Sequence, residues 1–214
     1  MICTVIAYKS FEECREIISR EQCVELRLDL LDLTKEQVEE LFSLPSRKVA
    51  TCRPGHHSDE DRQVLLETAV RNGATYLDIE LEMPGRLQQN LIKLAKIHQC
   101  KIIVSYHNHD GTPPLAELKR IIGKCRKAGA DIVKVACRVN NQHDLANLVG
   151  LYAGEKGIIA IGMGKEGLIS RLVAPLLGAE FTYASADATS ATASGQLKSD
   201  EMRVFYEQYG LNIN

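Results

Sequence analysis

Residues 101–137, KIIVSYHNHDGTPPLAELKRIIGKCRKAGADIVKVAC, contain one complete strand–helix–strand unit, and this unit decides the fold. The β-branched and apolar runs predict strands near 101–106 and 131–137, and the amphipathic stretch between them predicts a helix over 113–128. Thr112 and Pro113 suit the N-cap and the first position of that helix. Gly129 suits the left-handed turn that leads into the second strand.

The same unit recurs along the whole sequence. Strands are predicted near residues 2–7, 23–29, 48–52, 75–81, 101–106, 131–137, 157–161 and 180–184. Amphipathic helices are predicted near residues 10–20, 34–43, 59–72, 85–98, 113–128, 141–153, 167–177 and 199–209. Strict alternation implies parallel strands, and eight units predict an α/β fold of the (β/α)8 TIM barrel class, with residues 1–214 as a single catalytic domain. A doubly wound open sheet is the alternative.

Composition excludes several classes of protein. With 26 basic and 28 acidic residues the formal charge is −2, which argues against a strongly basic nucleic-acid binder. No run approaches the roughly 18 apolar residues of a membrane span, and the first ten residues do not resemble a secretory signal. Seven cysteines without a C-x-x-C pair predict reduced thiols in a cytoplasmic protein. The oligomeric state is left open, with a homodimer as one alternative.

Charged residues interrupt strands that should be apolar on both faces. They are Glu25, Arg27, Asp29, Arg53, Asp78, Glu80, His107 and Lys134. Most fall in the middle or at the C-terminal end of a strand, where barrel enzymes gather their chemistry. Structural ion pairs are the alternative explanation, above all for Asp29 and Asp78.

Lys134 stands between Val133 and Val135 inside the sixth strand. Burial in a barrel strand disfavours the charged form, and a neutral amine is a nucleophile. His107, just past the fifth strand, suits proton transfer near neutral pH. A metal site is the alternative, because His107 and His109 form an H-x-H pair and His56-His57 could add ligands. No cysteine pair or carboxylate cluster completes such a site, so we expect no metal.

Residues 162–167, GMGKEG, match the G-x-G-x-x-G pattern of dinucleotide-binding loops. The pattern lies late in the chain, in the seventh unit, and no βαβ half-domain begins there. We therefore expect that these glycines do not bind a dinucleotide, and that they instead admit a ligand close to the backbone.

Two stretches, DIEL at 78–81 and IIVSYHN at 102–108, resemble the signature of the type I 3-dehydroquinate dehydratase family. Further stretches agree with that family in chain order: ELRLD at 25–29, TCRP at 51–54, ADIVK at 130–134, Met163, ISRL at 169–172 and ASGQ at 193–196. The match spans almost the whole chain.

The resemblance implies a barrel lyase of the shikimate pathway that converts 3-dehydroquinate to 3-dehydroshikimate and water, without a metal or an organic cofactor. Lys134 matches the imine-forming lysine of the family, and His107 matches its proton-shuttling histidine. Arg171 matches the carboxylate-binding arginine. The remaining positions that match substrate-binding residues are Glu25, Arg27, Arg53, Gln196 and Thr192, the last in place of a frequent serine.

The chain departs from the family in two loops. After Arg53 the family commonly carries an acidic residue and two glycines, and the acid orients the catalytic histidine. Here the loop reads PGHHSDE at 54–60, so either the acid is missing or Asp59 or Glu60 takes its place. Ser194 stands where a proline is usual, and we expect it to loosen a loop over the substrate.

Other interpretations remain open from sequence alone. A class I aldolase on the same barrel would also need a strand lysine, and a catalytically inactive barrel would bind the ligand without turnover. Residues 58–61 and 206–211 also resemble versions fused ahead of shikimate dehydrogenase. A stand-alone enzyme explains the length equally well.

Overall fold

Strands and helices alternate along the chain in the predicted order. The computed structural model describes residues 1–193 and 195–213. The eight strands are β1 (Ile2–Ile6), β2 (Cys23–Arg27), β3 (Arg47–Thr51), β4 (Tyr76–Glu80), β5 (Lys101–Asn108), β6 (Ile132–Arg138), β7 (Ile158–Met163) and β8 (Thr182–Ser185). The α-helices are α1 (Phe11–Arg20), α2 (Lys35–Ser43), α3 (Asp59–Arg71), α4 (Gly85–Ile97), α5 (Leu115–Lys127), α6 (Gln142–Gly150), α7 (Leu168–Val173) and α8 (Ser199–Gln208).

The sheet has the strand order of a barrel. Each strand pairs in parallel with the one before it in the chain from β1 to β7, and β1 also pairs with β8. An open doubly wound sheet would instead reverse its strand order partway across, so that alternative is wrong. Within the described residues no ladder joins β7 to β8, and the ring is nearly closed at this seam.

Register brings the predicted polar residues to one level of the barrel. Thr51 of β3 stands beside Asp78 of β4, and Ser105 of β5 stands beside Lys134 of β6. Side chains alternate between the two faces of a strand, so residues two apart project to the same side. His107 lies two positions beyond Ser105 on β5 and therefore projects on the same side, nearer the C-terminal end.

Helix ends follow the sequence signals in most places. The three glycines of the recurring Gly-Ala pair, Gly73, Gly129 and Gly178, have φ of +105°, +104° and +100°. Each ends a helical segment with backbone that L side chains rarely adopt, as predicted.

Two local predictions are wrong. Helix α5 begins at Leu115 with Pro114 at its N-cap, whereas Thr112 donates its hydroxyl to the Arg138 carbonyl oxygen at 2.7 Å. A residue that precedes a proline avoids the helical region, so Pro113 stays extended ahead of Pro114. Strand β2 ends at Arg27, and Asp29 lies in a short 3-10 turn (Leu28–Leu30) instead of extending the strand.

The main core lies between the strands and the surrounding helices. Side chains such as Leu26, Phe42, Leu66 and Ile79 are almost fully buried there. All seven cysteines are free and buried, which confirms the prediction of reduced thiols that act as small hydrophobic groups. Among the described residues, no helix combines the length and apolar character needed to cross a membrane.

Candidate active site

A cavity of about 400 Å³ opens at the C-terminal ends of the strands. It is lined by all eight residues that match catalytic or substrate-binding positions of the family, namely Glu25, Arg27, Arg53, His107, Lys134, Arg171, Thr192 and Gln196. They come from several different strands and loops, so only barrel closure brings them together. A larger depression of about 520 Å³ lies at the opposite end, among the terminal segments of the chain, and contains none of them.

Lys134 projects from the middle of β6 into the barrel and is 6% exposed. Its Nζ lies 3.0 Å from Asp78 Oδ2, 3.5 Å from Glu25 Oε1 and 4.0 Å from the centroid of the Tyr183 ring. These partners are matched to an ammonium group. The sequence argument rested on burial alone and did not foresee these two carboxylates, which reach the amine from β2 and β4.

Asp78 connects Lys134 to the adjacent arginine. Its carboxylate accepts hydrogen bonds from Ser105 Oγ at 2.6 Å, Arg53 Nη2 at 2.9 Å and Lys134 Nζ at 3.0 Å. Burial alone would raise the pKa of Asp78, but the charges of Arg53 and Lys134 outweigh burial and hold this pKa well below its usual value. Asp78 is therefore an ionised carboxylate, buried behind the residues that line the cavity.

The two charged residues of β2, Glu25 and Arg27, have separate partners. Glu25 accepts a hydrogen bond from Thr51 Oγ1 at 2.9 Å and faces Lys134. Arg27 forms a bidentate pair with Asp29, with Nε to Oδ1 at 3.0 Å and Nη2 to Oδ2 at 2.6 Å. Asp29 is thus a structural partner that fixes Arg27 at the cavity wall, which agrees with the ion-pair alternative.

His107 lies beside this charged group, half-buried in the wall of the cavity. Burial, followed by the positive charges of Arg53 and Lys134, lowers the pKa of His107 well below 6.5, against a smaller raising effect of Asp78. The imidazole is therefore uncharged at neutral pH and able to accept a proton. The nearest aromatic ring is that of His109, whose centroid is 6.4 Å away with the two planes 12° apart.

Arg171 reaches the cavity from α7 and is 3% exposed. Among the described residues its guanidinium makes one long hydrogen bond, from Nη1 to the Tyr183 carbonyl oxygen at 3.5 Å, and its buried Nε has no acceptor. Burial lowers the pKa of Arg171 to about 10. A buried cation without an anionic partner is costly, and a bidentate carboxylate would satisfy it.

The loop after β8 covers one side of the cavity. Gln196 accepts a hydrogen bond from the Thr192 backbone N–H at 3.0 Å, so these two predicted residues hold each other within this loop. Gly195 has φ +77°, and a Cβ there would lie 2.4 Å from the Gly164 carbonyl oxygen. Ser194, whose predicted loosening effect concerns this same loop, lies outside the described residues.

The glycines of the G-x-G-x-x-G stretch serve close backbone packing. A Cβ on Gly162 would lie 2.7 Å from the Gly167 Cα, which shows how tightly the turn after β7 folds on itself. Gly164, at φ +89°, is the residue that the β8 loop packs against. These contacts are between parts of the chain itself, so the expectation that a ligand approaches the backbone here stays a prediction.

The loop after β3 brings no acid to His107. Asp59 binds Arg62 Nη1 at 2.8 Å, and neither Asp59 nor Glu60 lines the cavity. Glu80, at the end of β4, instead lies between two guanidinium groups, 3.2 Å from Arg53 Nη1 and 3.0 Å from Arg62 Nη2. The proposal that Asp59 or Glu60 substitutes from a shifted loop therefore fails.

Three residues of the site were not assigned a role from sequence. Tyr183 of β8 lies under Lys134, and its hydroxyl is buried without a partner among the described residues. Arg62 is 2% exposed and anchors Glu80, yet it sits in an ordinary amphipathic helix that gives no sequence signal. His109 lines the cavity, and only its H-x-H spacing pointed to it. The described residues contain no group of three or more potential metal ligands.

Comparisons with known proteins agree with this geometry. A sequence model of the family described as Type I 3-dehydroquinase matches residues 2–213. A 3-dehydroquinate dehydratase of Desulfotalea psychrophila is 36% identical over 196 residues, covering 87% of this chain and 86% of that protein. A second, from Methanococcus maripaludis, is 33% identical over 211 residues and covers 94% of each chain.

Solved structures give the same result for the fold. The crystal structure of the 3-dehydroquinate dehydratase from Aquifex aeolicus superposes with a TM-score of 0.83 at 30% identity, covering 98% of both chains. Fold and sequence therefore agree over nearly the full length of this chain, including the strands that carry the cavity residues.

Proposed function

Because the chain belongs to the type I 3-dehydroquinase family, whose members dehydrate 3-dehydroquinate in the shikimate pathway through a lysine Schiff base, we propose that Lys134 and His107 carry out this reaction here. The family match decides against the aldolase alternative, which shares only the barrel and the strand lysine. One observation supports the assignment of residues: a single cavity holds a buried amine, an uncharged imidazole and an unpaired buried guanidinium.

Imine formation begins at Lys134. Its ammonium gives a proton to the His107 imidazole, and the freed amine attacks the ketone carbon to form a carbinolamine; His107 then returns this proton to the hydroxyl that leaves as water. Loss of water from the carbinolamine leaves a protonated imine, which is an electron sink. Asp78 and Glu25, within 3.5 Å of the amine, stabilise the positive charge that persists on this nitrogen.

Proton transfer at carbon falls to His107. The neutral imidazole takes the proton next to the iminium carbon, and the C–H electron pair forms an enamine. The enamine expels the β-hydroxyl, to which the His107 imidazolium returns the proton, so that water leaves. Hydrolysis of the conjugated iminium then releases 3-dehydroshikimate and restores Lys134. No proton is gained or lost over the cycle.

Substrate binding is assigned to the polar wall of the cavity. Arg171 binds the carboxylate, because it is the guanidinium without an acidic partner, whereas Arg27 and Arg53 are held by Asp29 and Asp78. Arg27 and Arg53, with Glu25, Thr192 and Gln196, contact the hydroxyls and the remaining carboxylate oxygen. Thr192 keeps the hydroxyl donor of a serine at that position.

We further propose a cytoplasmic enzyme with one catalytic domain over residues 1–214 that acts on a small molecule, without a nucleic-acid or membrane partner, metal or organic cofactor. The even charge balance and the seven free thiols support this proposal. A homodimer is the oligomeric state to test, by sedimentation at enzyme concentrations used for kinetics.

The proposed function is tested by trapping the imine. Borohydride added with 3-dehydroquinate is expected to fix substrate mass on the peptide that contains Lys134. Lys48 is the matched control, because it is also a buried strand lysine but donates to the carbonyl oxygens of Leu44 and Ser46 in the loop before β3, outside the cavity. Modification of Lys48, or of neither lysine, while an ultraviolet assay shows product forming would contradict the assignment.

A further inference from the structure

His107 has no carboxylate of its own in this chain. The carboxylates nearest the reacting groups are each held by other partners: Asp78 by Arg53, Ser105 and Lys134, Glu25 by Thr51 and Lys134, and Glu80 by Arg53 and Arg62. Within the described part of the chain, the His107 ring donates to and accepts from no other side chain. An imidazole that cycles through its protonated form needs a partner that accepts its second N–H.

His109 occupies the position from which such a partner can act. It follows β5 directly, two residues after His107, so both rings project to the same side of the chain. Both line the cavity, with nearly parallel planes and centroids 6.4 Å apart, a span that one bridging water can close. His107 is half-buried whereas His109 is exposed at the mouth.

The positive charges around His107 favour the transfer of a proton from His107 to His109. The charges that act most strongly on His107 are those of Arg53, Lys134, Asp78 and His109, and together with burial they lower the pKa of His107. An imidazolium formed there during catalysis stands beside a guanidinium and an iminium. Moving the positive charge outward to a solvated ring relieves that repulsion.

We propose that His109 is the positioning and proton-sharing partner of His107, in the place that an acidic loop residue would otherwise fill. The inference rests on the proposed function of His107. Once His107 has taken the carbon-bound proton, its other nitrogen donates an N–H toward the ring of His109. When the proton crosses, the N–H bond of His107 breaks and one forms on His109; the reverse transfer precedes protonation of the leaving hydroxyl, so charge and protons balance.

Other charged groups face the same space and must be separated from His109 by experiment. From the elements around the cavity mouth they are Arg53 after β3, Glu80 at the end of β4, Glu82 after β4 and Lys134 on β6. Glu82 is the competing candidate, since it is exposed at the mouth and forms no ion pair among the described residues. Glu82→Gln is therefore the discriminating variant.

The test compares His109→Phe, which keeps a ring, and His109→Asn, which keeps hydrogen bonding, with Glu82→Gln and with His56→Asn as a control. His56 is an exposed histidine of the β3 loop that does not line the cavity. Both His109 variants are expected to lose roughly 10- to 100-fold in kcat with KM changed less than threefold, as is usual when an orienting partner is removed. His56→Asn keeps kcat within about twofold, and Glu82→Gln loses less kcat than either His109 variant.

The pH profile of kcat/KM distinguishes a His109 that shares a proton with His107 from a His109 that only lines the cavity. In both His109 variants the acid limb of log(kcat/KM) should differ from that of the unmodified enzyme, whereas Glu82→Gln and His56→Asn should leave it unchanged. An unchanged acid limb, a loss in KM alone, or a loss in Glu82→Gln instead would overturn the proposal. Borohydride trapping on Lys134 must persist in His109→Phe; absence of trapping in the unmodified enzyme would refute the proposed function and not this pairing.

Discussion

Replacing Arg171 with methionine should destroy substrate binding and leave the fold as stable as before, or more stable. Arg171 is 3% exposed, has no acidic partner, and burial lowers its pKa from 12.5 to about 10. That difference corresponds to roughly 3 kcal/mol against the charged form in the empty cavity. Methionine fills a similar volume without a charge, so the folded protein gains up to that amount, less the one weak hydrogen bond that is lost.

The cost appears only when substrate binds. A hydrogen bond to a charged group contributes about 1.5–3 kcal/mol, so two of them to a carboxylate are worth roughly 3–6 kcal/mol. We therefore expect kcat/KM for 3-dehydroquinate to fall by about 10²–10⁴-fold. Since 1 kcal/mol moves the melting temperature of a protein of this size by about 2–4 °C, Tm should stay level or rise by up to roughly 6–12 °C.

Arg53→Met provides the matched comparison. Arg53 is also a cavity arginine, but it is paired with Asp78 and Glu80. Removing it takes one cation away from each of these carboxylates, although Lys134 and Arg62 remain beside them, so we expect a loss of up to about 3–5 kcal/mol. Thermal unfolding and steady-state kinetics on both variants show whether Arg171 serves substrate binding or the stability of the fold. A large loss of Tm in Arg171→Met, or kcat/KM within tenfold of the unmodified enzyme, would show that Arg171 is held by the fold and that the carboxylate binds elsewhere.

Two further predictions concern the pH dependence and the loop after β8. Because the folded protein lowers the pKa of His107 below 6.5, the unfolded chain binds more protons there, so stability should fall as pH drops below about 6.5. Urea unfolding at several pH values should show a smaller fall in His107→Gln, and an NMR titration that places the His107 pKa at 6.5 or above would contradict the premise. Gly195→Ala should raise KM at least tenfold, because its Cβ would meet the Gly164 carbonyl oxygen at 2.4 Å. Gly178→Ala, also at positive φ but with no atom within 4 Å of its Cβ, should cost about 1 kcal/mol of stability and leave KM unchanged; equal effects of the two variants on KM would refute the contact.

Local sequence patterns were enough to predict the order of the strands and helices. Short β-branched and apolar runs, amphipathic stretches and helix-ending glycines such as Gly73 act over a few residues, so the sequence predicted all eight strands and eight helices in order. The predicted helix start at Thr112 failed because its hydroxyl finds an acceptor on β6, a contact that spacing along the chain does not reveal.

Charge within a strand was a reliable signal of the site but not of its electrostatics. Lys48 and Lys134 are both buried strand lysines, and desolvation alone would treat them alike. The fold gives Lys48 two backbone carbonyl oxygens and gives Lys134 two carboxylates and the face of Tyr183. Only the second arrangement opens onto a cavity.

The sequence by itself determined the barrel, the family and eight of the residues that line the cavity, because each rests on local pattern or on motifs in chain order. Tertiary structure alone decided which acid faces which base. Among the described residues it left Arg171 without an acidic partner, paired the buried Arg62 with Glu80 and placed His109 beside His107. Such pairings depend on distances between strands far apart in sequence, and electrostatic interactions depend on those distances and on burial.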